Sequence, residues 1–177
     1  MKKSIKYCLF YSLQVLLLAS CGFAHFTAMP GSERKVFPTE LQGNYISLNT
    51  EKNSKDTFTL TITDTQSITN DAILKDLLQL TDSTTLSHLG DFYFFNVKGQ
   101  DSANRITWTL FPIYPKNDIL YIYSIPLGKQ TKKLNKYLKQ DINGTYIMNN
   151  EPFKNYCEKY LKKKRYRKNA SKLHKIK

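Results

Sequence analysis

The chain predicts an α+β fold: a mainly antiparallel β-sheet able to curl into a partial barrel, with a short central helix and two C-terminal helices packed on it. Three observations predict it. Three strand-like runs at 91–98, 105–113 and 118–125 follow one another, separated by turn-forming segments, as in a meander. Residues 57–64 alternate Thr with Phe58, Leu60 and Ile62, the period of two of a half-buried strand. Residues 131–140 and 153–161 instead space their apolar side chains by three and four, the period of a helix lying on a sheet.

In chain order, Tyr45 among short polar residues at 42–49 suits a first strand, followed by the alternating strand at 57–64. At 70–80 Ile73, Leu74, Leu77 and Leu78 fall at helical spacing, with Thr69 or Asn70 as N-cap and Asp71 in the first turn. In the meander, Phe92, Tyr93, Phe94 and Phe95 make both faces of one strand aromatic. Tyr121 and Tyr123 oppose Leu120 and Ile122 in another, so both faces of these strands need cover. Leu134, Tyr137 and Leu138 supply one covering stripe, with Asn143 and Gly144 beyond it as a stop signal. Residues 145–148 suit a further short strand. Phe153, Tyr156, Cys157, Tyr160 and Leu161 form a second covering stripe behind Asn150 and Pro152. After Leu161 the periodicity gives way to Lys162, Lys163, Lys164, Arg165, Tyr166, Arg167 and Lys168.

A length of 177 residues suits one domain with short appendages. With 41% hydrophobic and 23% charged residues, 7 Gly and 6 Pro, and no period, disordered, collagen-like and repeat architectures are excluded. The net charge of +13 is uneven: residues 129–177 carry 16 basic and 3 acidic side chains, residues 21–128 only 8 and 11. A nucleic-acid-binding domain spreads its cations along the folded surface that follows the phosphates, so nucleic acid is not an expected partner.

Lys2, Lys3 and Lys6 precede an apolar run from about Tyr7 to Ala19, the layout of a secretory signal peptide. Ser12 and Gln14 interrupt that run, which falls short of a membrane span. It closes on Leu18, Ala19, Ser20 and Cys21, which resembles the lipobox of bacterial lipoproteins. That resemblance implies a diacylglyceryl group on the Cys21 thiol, cleavage just before it, and acylation of the new amino terminus. Buried acyl chains contribute roughly 0.8 kcal/mol per CH₂, enough for two or three to anchor a protein. By the same resemblance, Gly22 in place of the Asp that in Gram-negative lipoproteins often signals inner-membrane retention implies the outer membrane, and the lack of an acidic cluster resembling the surface-export signal of some Bacteroidetes lipoproteins implies its periplasmic face.

The expected organisation is therefore a signal peptide at 1–20, a tether at 21–38, an α+β domain at 39–161 and a basic, disordered tail at 162–177. Cys8 leaves with the signal and Cys21 is lipidated, so Cys157 remains as the one thiol, either a buried apolar residue or a dimerising one, and its helical stripe favours burial. Leu41, Gly43 and Tyr45 resemble the first-strand motif of lipocalins, with Tyr where that family favours Trp, and a late helix before a strand is also lipocalin-like. The mid-chain order of helix, aromatic strand, Trp108 strand and Tyr strand resembles small Bacteroidetes lipoproteins, a likeness that implies no activity.

No chemistry stands out. The histidines His25, His88 and His174 are dispersed, and no glycine-rich nucleotide loop or nucleophile elbow occurs, so no metal, cofactor or catalytic residue is expected. Tyr45, Phe92, Phe94, Trp108 and Tyr121 are the candidate lining of an apolar pocket, should the sheet close around one. Lys162, Lys163, Lys164, Arg165, Arg167 and Lys168 are the candidate site for an anionic partner: lipid headgroups, peptidoglycan or an acidic protein. Three functions follow from these residues: a non-catalytic envelope binding or scaffold protein first, a lipocalin-like carrier of a small apolar ligand second, and an envelope hydrolase third.

Overall fold

The computed structural model describes residues 22–47, 59–70, 79–101, 103–125, 131–168 and 170–176. The described strands are β1 (His25–Phe26), β2 (Ser32–Arg34), β3 (Gly43–Ser47), β4 (Thr59–Ile62), β5 (Ser67–Thr69), β6 (Thr84–Leu89), β7 (Phe92–Gln100), β8 (Ile106–Lys116), β9 (Ile119–Ile122) and β10 (Ser171–Ile176). Helical segments are α1 (Thr131–Leu134), α2 (Asn150–Tyr156) and α3 (Lys164–Arg167), with a 3₁₀ turn at Thr39–Leu41 and a π-helical turn at Cys157–Leu161. The strands join in one sheet, curled into a half-barrel, in the order β2-β6-β7-β8-β9-β10-β3-β4-β5, with β1 paired to β8.

Tight loops make the sheet antiparallel. Leu89 pairs with Phe92 across Gly90 and Asp91, and Gly90 has φ +62°, as the first central residue of a type II′ turn requires. Lys116 pairs with Ile119 across Asn117 and Asp118, both at positive φ as in a type I′ turn. Asp101 shapes the longer β7–β8 loop: its Oδ1 accepts the N–H groups of Ala103 and Arg105, both at 2.9 Å.

The two faces of the sheet carry separate cores, which explains the doubly apolar strands. On the inner face Phe37, Leu41, Tyr45, Leu60, Leu86, Tyr93, Phe95, Leu120 and Leu173 pack together. On the outer face Phe26, Phe92, Phe94, Leu110 and Tyr123 lie under Leu134, Leu138, Phe153, Tyr156, Cys157 and Leu161. Alternation in β7 divides its four aromatics between these cores, two to each. The C-terminal helical stripe is thus the cover that the outer face needs.

Two ends of the chain differ from expectation. In place of a free tether, residues 22–38 contribute β1, paired to β8, and β2, paired to β6, with Ala24 1% and Phe26 0% exposed. In place of a disordered tail, residues 162–176 contribute α3 and β10, and β10 sits inside the sheet between β9 and β3. Leu173 pairs with Leu120 on one side and Ser47 on the other and is fully buried. The physical reason is pairing: an extended segment bonded on both edges needs few apolar side chains, so its lysines do not keep it out of the sheet.

Smaller differences follow the same logic. The helix expected at 131–140 is regular only over Thr131–Leu134 and continues as turns, although Leu134 and Leu138 are both buried. Within 145–148 the pairing is limited to isolated bridges from Tyr146 to Phe26 and to Gln140. The helix expected at 70–80 falls on residues outside the described ones.

Candidate functional site

The chemistry that converges most densely among the described residues is positive charge set on aromatic rings. The stripe of α2 and the π-helical turn fixes the backbone up to Leu161, whose carbonyl accepts the Tyr123 hydroxyl at 3.0 Å. From there the chain turns, with the Lys163 N–H donated to Tyr160 O at 3.2 Å, and enters α3. No acidic residue occupies α3, where Lys164, Arg165 and Arg167 crowd one helical turn.

Rings lie beside the charged ends of several cations here. Lys133 Nζ, reaching over from α1, lies 4.6 Å from the Tyr166 ring centre and 5.6 Å from that of Tyr160. Lys163 Nζ is 5.7 Å from Tyr160, Arg165 5.2 Å from Tyr166 and Arg167 5.8 Å from Tyr121. The rings themselves form a chain: Tyr137, Tyr156 and Tyr160 sit 5.6–6.0 Å apart, and Tyr166 meets Tyr160 edge-on. Each exposed cation–ring pair contributes about 0.5–1 kcal/mol, so the rings orient the charges without neutralising them.

Lys162 differs from its neighbours. It pairs with Asp91 and lies 5.9 and 5.8 Å from the Phe92 and Tyr114 ring centres. Burial pulls its ammonium down, but the hydrogen bond and charge of Asp91 outweigh that and raise it above the ordinary lysine value. Its charge is spent on closing the outer-face core. Lys163, Lys164, Arg165 and Lys168 are exposed and available to a partner. Of the six cations anticipated from the sequence, all are brought to one segment, four of them open to solvent.

The anticipated apolar pocket is not assembled. Phe92, Phe94, Trp108 and Tyr121 belong to the outer-face core, where Phe92 stacks on Tyr114 at 5.1 Å and Phe94 meets Phe153 at 5.6 Å. Tyr45 lies on the opposite face, its hydroxyl donated to Leu41 O at 3.0 Å. Alternation along the strands separates the five, and packing rather than a cavity uses the aromatic surface. Tyr45 instead borders a shallow cleft with Glu40, Asp118 and Lys175; burial, then the Asp118 charge, pushes its phenol up to about 12.

One polar cluster had no separate sequence signal, because Glu40 and Tyr93 lie 53 positions apart. The Tyr93 hydroxyl donates to Glu40, and the His88 ring lies 4.6 Å from that of Tyr93. The Tyr93 hydrogen bond holds the Glu40 carboxyl below its usual value, while burial and then the same bond raise the phenol. The bond ties β7 to the 3₁₀ turn at Thr39–Leu41. His25 lies against the Thr109 hydroxyl at 3.3 Å and His174 is within β10, so the three histidines do not converge. No cluster of His, Cys, Asp or Glu with metal-binding geometry occurs among the described residues.

Cys157 is 1% exposed, and burial raises its thiol well above the ordinary value. Cys21 precedes Gly22, where the described residues begin. No described helix is long and apolar enough to cross a membrane. Comparison with protein-family models, with curated proteins and with solved structures gives no match.

Proposed function

We propose that the chain is a lipid-anchored protein of the bacterial envelope, acylated on Cys21 and held at the outer membrane facing the periplasm, with a non-catalytic domain that binds an anionic partner. The observation that carries this reading is the tetrad Leu18, Ala19, Ser20 and Cys21 at the end of a charged and then apolar leader. The basic and aromatic face supports the binding role, because Lys163, Lys164, Arg165 and Lys168 are exposed within one short segment, with Lys163 and Arg165 set against Tyr160 and Tyr166. Gly22 is the basis for the choice of membrane.

The carrier reading draws little support, since its five lining residues are divided between two cores.

Metabolic labelling with a fatty acid in a bacterial host tests the anchor. The wild-type chain is expected to take up label and sediment with membranes, and Cys21→Ser to lose the label and enter the soluble fraction. Equal labelling of both chains would overturn the reading.

A further inference from the structure

We propose that the basic and aromatic face docks on the anionic headgroups of the same bilayer that holds the Cys21 lipid, so that the domain lies against the membrane instead of projecting from it. This rests on the acylation of Cys21 proposed above. A short reach holds the domain near the lipid. Only Gly22 and Phe23 separate Cys21 from Ala24, which is 1% exposed and donates its N–H to Ile125 O at 2.9 Å. A fully extended chain covers at most about 3.6 Å per residue, which places Cys21 within roughly 11 Å of the core. A lipid seated at Cys21 therefore brings the domain surface to the headgroups.

The surface so placed is the one that carries the cations. Ala24 belongs to the same buried cluster as Tyr123, Ile125, Leu161 and Ala170. Leu161 and Ala170 bracket the basic segment, and Tyr123 bonds directly to Leu161. Ala24, three positions after Cys21, and the residues bracketing the basic segment are thus held in one cluster. Its chemistry is complementary as well: exposed cations interleaved with Tyr160 and Tyr166 match a headgroup layer, where cations meet phosphates and amphipathic rings settle at the interface. The attraction decays over a Debye length of about 8 Å in physiological salt, a distance comparable to the reach of the chain.

The test uses the whole acylated protein, extracted from membranes and reconstituted into vesicles of phosphatidylcholine alone or of an equimolar mixture with phosphatidylglycerol. Exposed lysines are modified with a water-soluble acylating reagent and read residue by residue by mass spectrometry. Labelling of Lys163, Lys164 and Lys168 is expected to fall several-fold on the anionic vesicles and to recover in high salt, while Lys35 and Lys98 stay unchanged. Equal labelling on both vesicles overturns the proposal, as does protection that requires added peptidoglycan fragments or a protein extract. A chain that does not stay with either vesicle removes the anchoring reading as well, whereas stable incorporation with equal labelling removes this inference alone.

Discussion

Gly31 is the residue at which a single methyl group would be felt most sharply. Its φ is +66°, and a Cβ there would lie 1.9 Å from the His88 carbonyl oxygen on β6, while its N–H is donated to Asn150 Oδ1 at 2.9 Å. Gly31→Ala should cost about 1–3 kcal/mol, from strain plus displacement of β2, measured as a shift in the denaturant midpoint. Asn96 is fully buried, and its amide donates to Ser87 Oγ at 3.1 Å. Asn96→Ala strands that hydroxyl in the core and should cost about 1–3 kcal/mol in the same measurement. The Cys157 thiol, shielded and held protonated, should resist Ellman's reagent in the native protein and react as soon as the chain is unfolded. Rapid native reaction would show that the helix does not pack as described.

At the scale of elements, β10 decides how the C-terminus should be treated. Removing residues 169–177 deletes a strand bonded to both β9 and β3, so the truncated chain should lose cooperative unfolding and native circular dichroism. A truncated chain as stable as the whole would contradict the topology. The sequence concealed this strand because Lys172, His174 and Lys175 surround Leu173, and the Lys175 ammonium sits 5.8 Å from the Tyr45 ring centre, a contact between distant residues. β6 was concealed for a different reason. Its buried Ser87 breaks the apolar alternation, and its partner Asn96 lies on another strand. The meander was legible because alternation and turn residues agree, and the C-terminal stripe because Phe153, Tyr156, Cys157 and Leu161 keep helical spacing up to the π-helical turn. The cations of the candidate site were legible as a run. Their seating on Tyr121 and Tyr166, and the reach of Lys133 from α1, depend on contacts that no local pattern encodes.

For the whole molecule, stability should fall at both ends of the pH scale. Glu40, Asp101 and Asp141 are more acidic in the folded chain: Tyr93 bonds to the first and the backbone and side chain of Arg105 to the second. For Asp141, bonds from Thr145, Arg105 and Asn143 outweigh burial. Their contribution is complete above the unfolded values of about 3.9–4.3 and is lost as pH falls through the lower folded ones. Tyr45 has the opposite sign. Its phenol at about 12 stabilises the fold fully below the unfolded value near 10, and that contribution disappears as pH rises toward 12. Thermal melts across pH should show a broad plateau between these windows; a stability maximum below pH 3 would contradict the assignment of the carboxylates.

The basic face and the short path from Cys21 to Ala24 acquire their proposed role only if the lipid is present. The most direct measurement is the mass of the N-terminal peptide of the full-length chain, extracted from the membranes of a bacterial host and digested. The account predicts a peptide beginning at Cys21 and carrying a diacylglyceryl group with or without an N-acyl chain. A peptide that retains residues 1–20, or one that begins elsewhere without acyl mass, would contradict it.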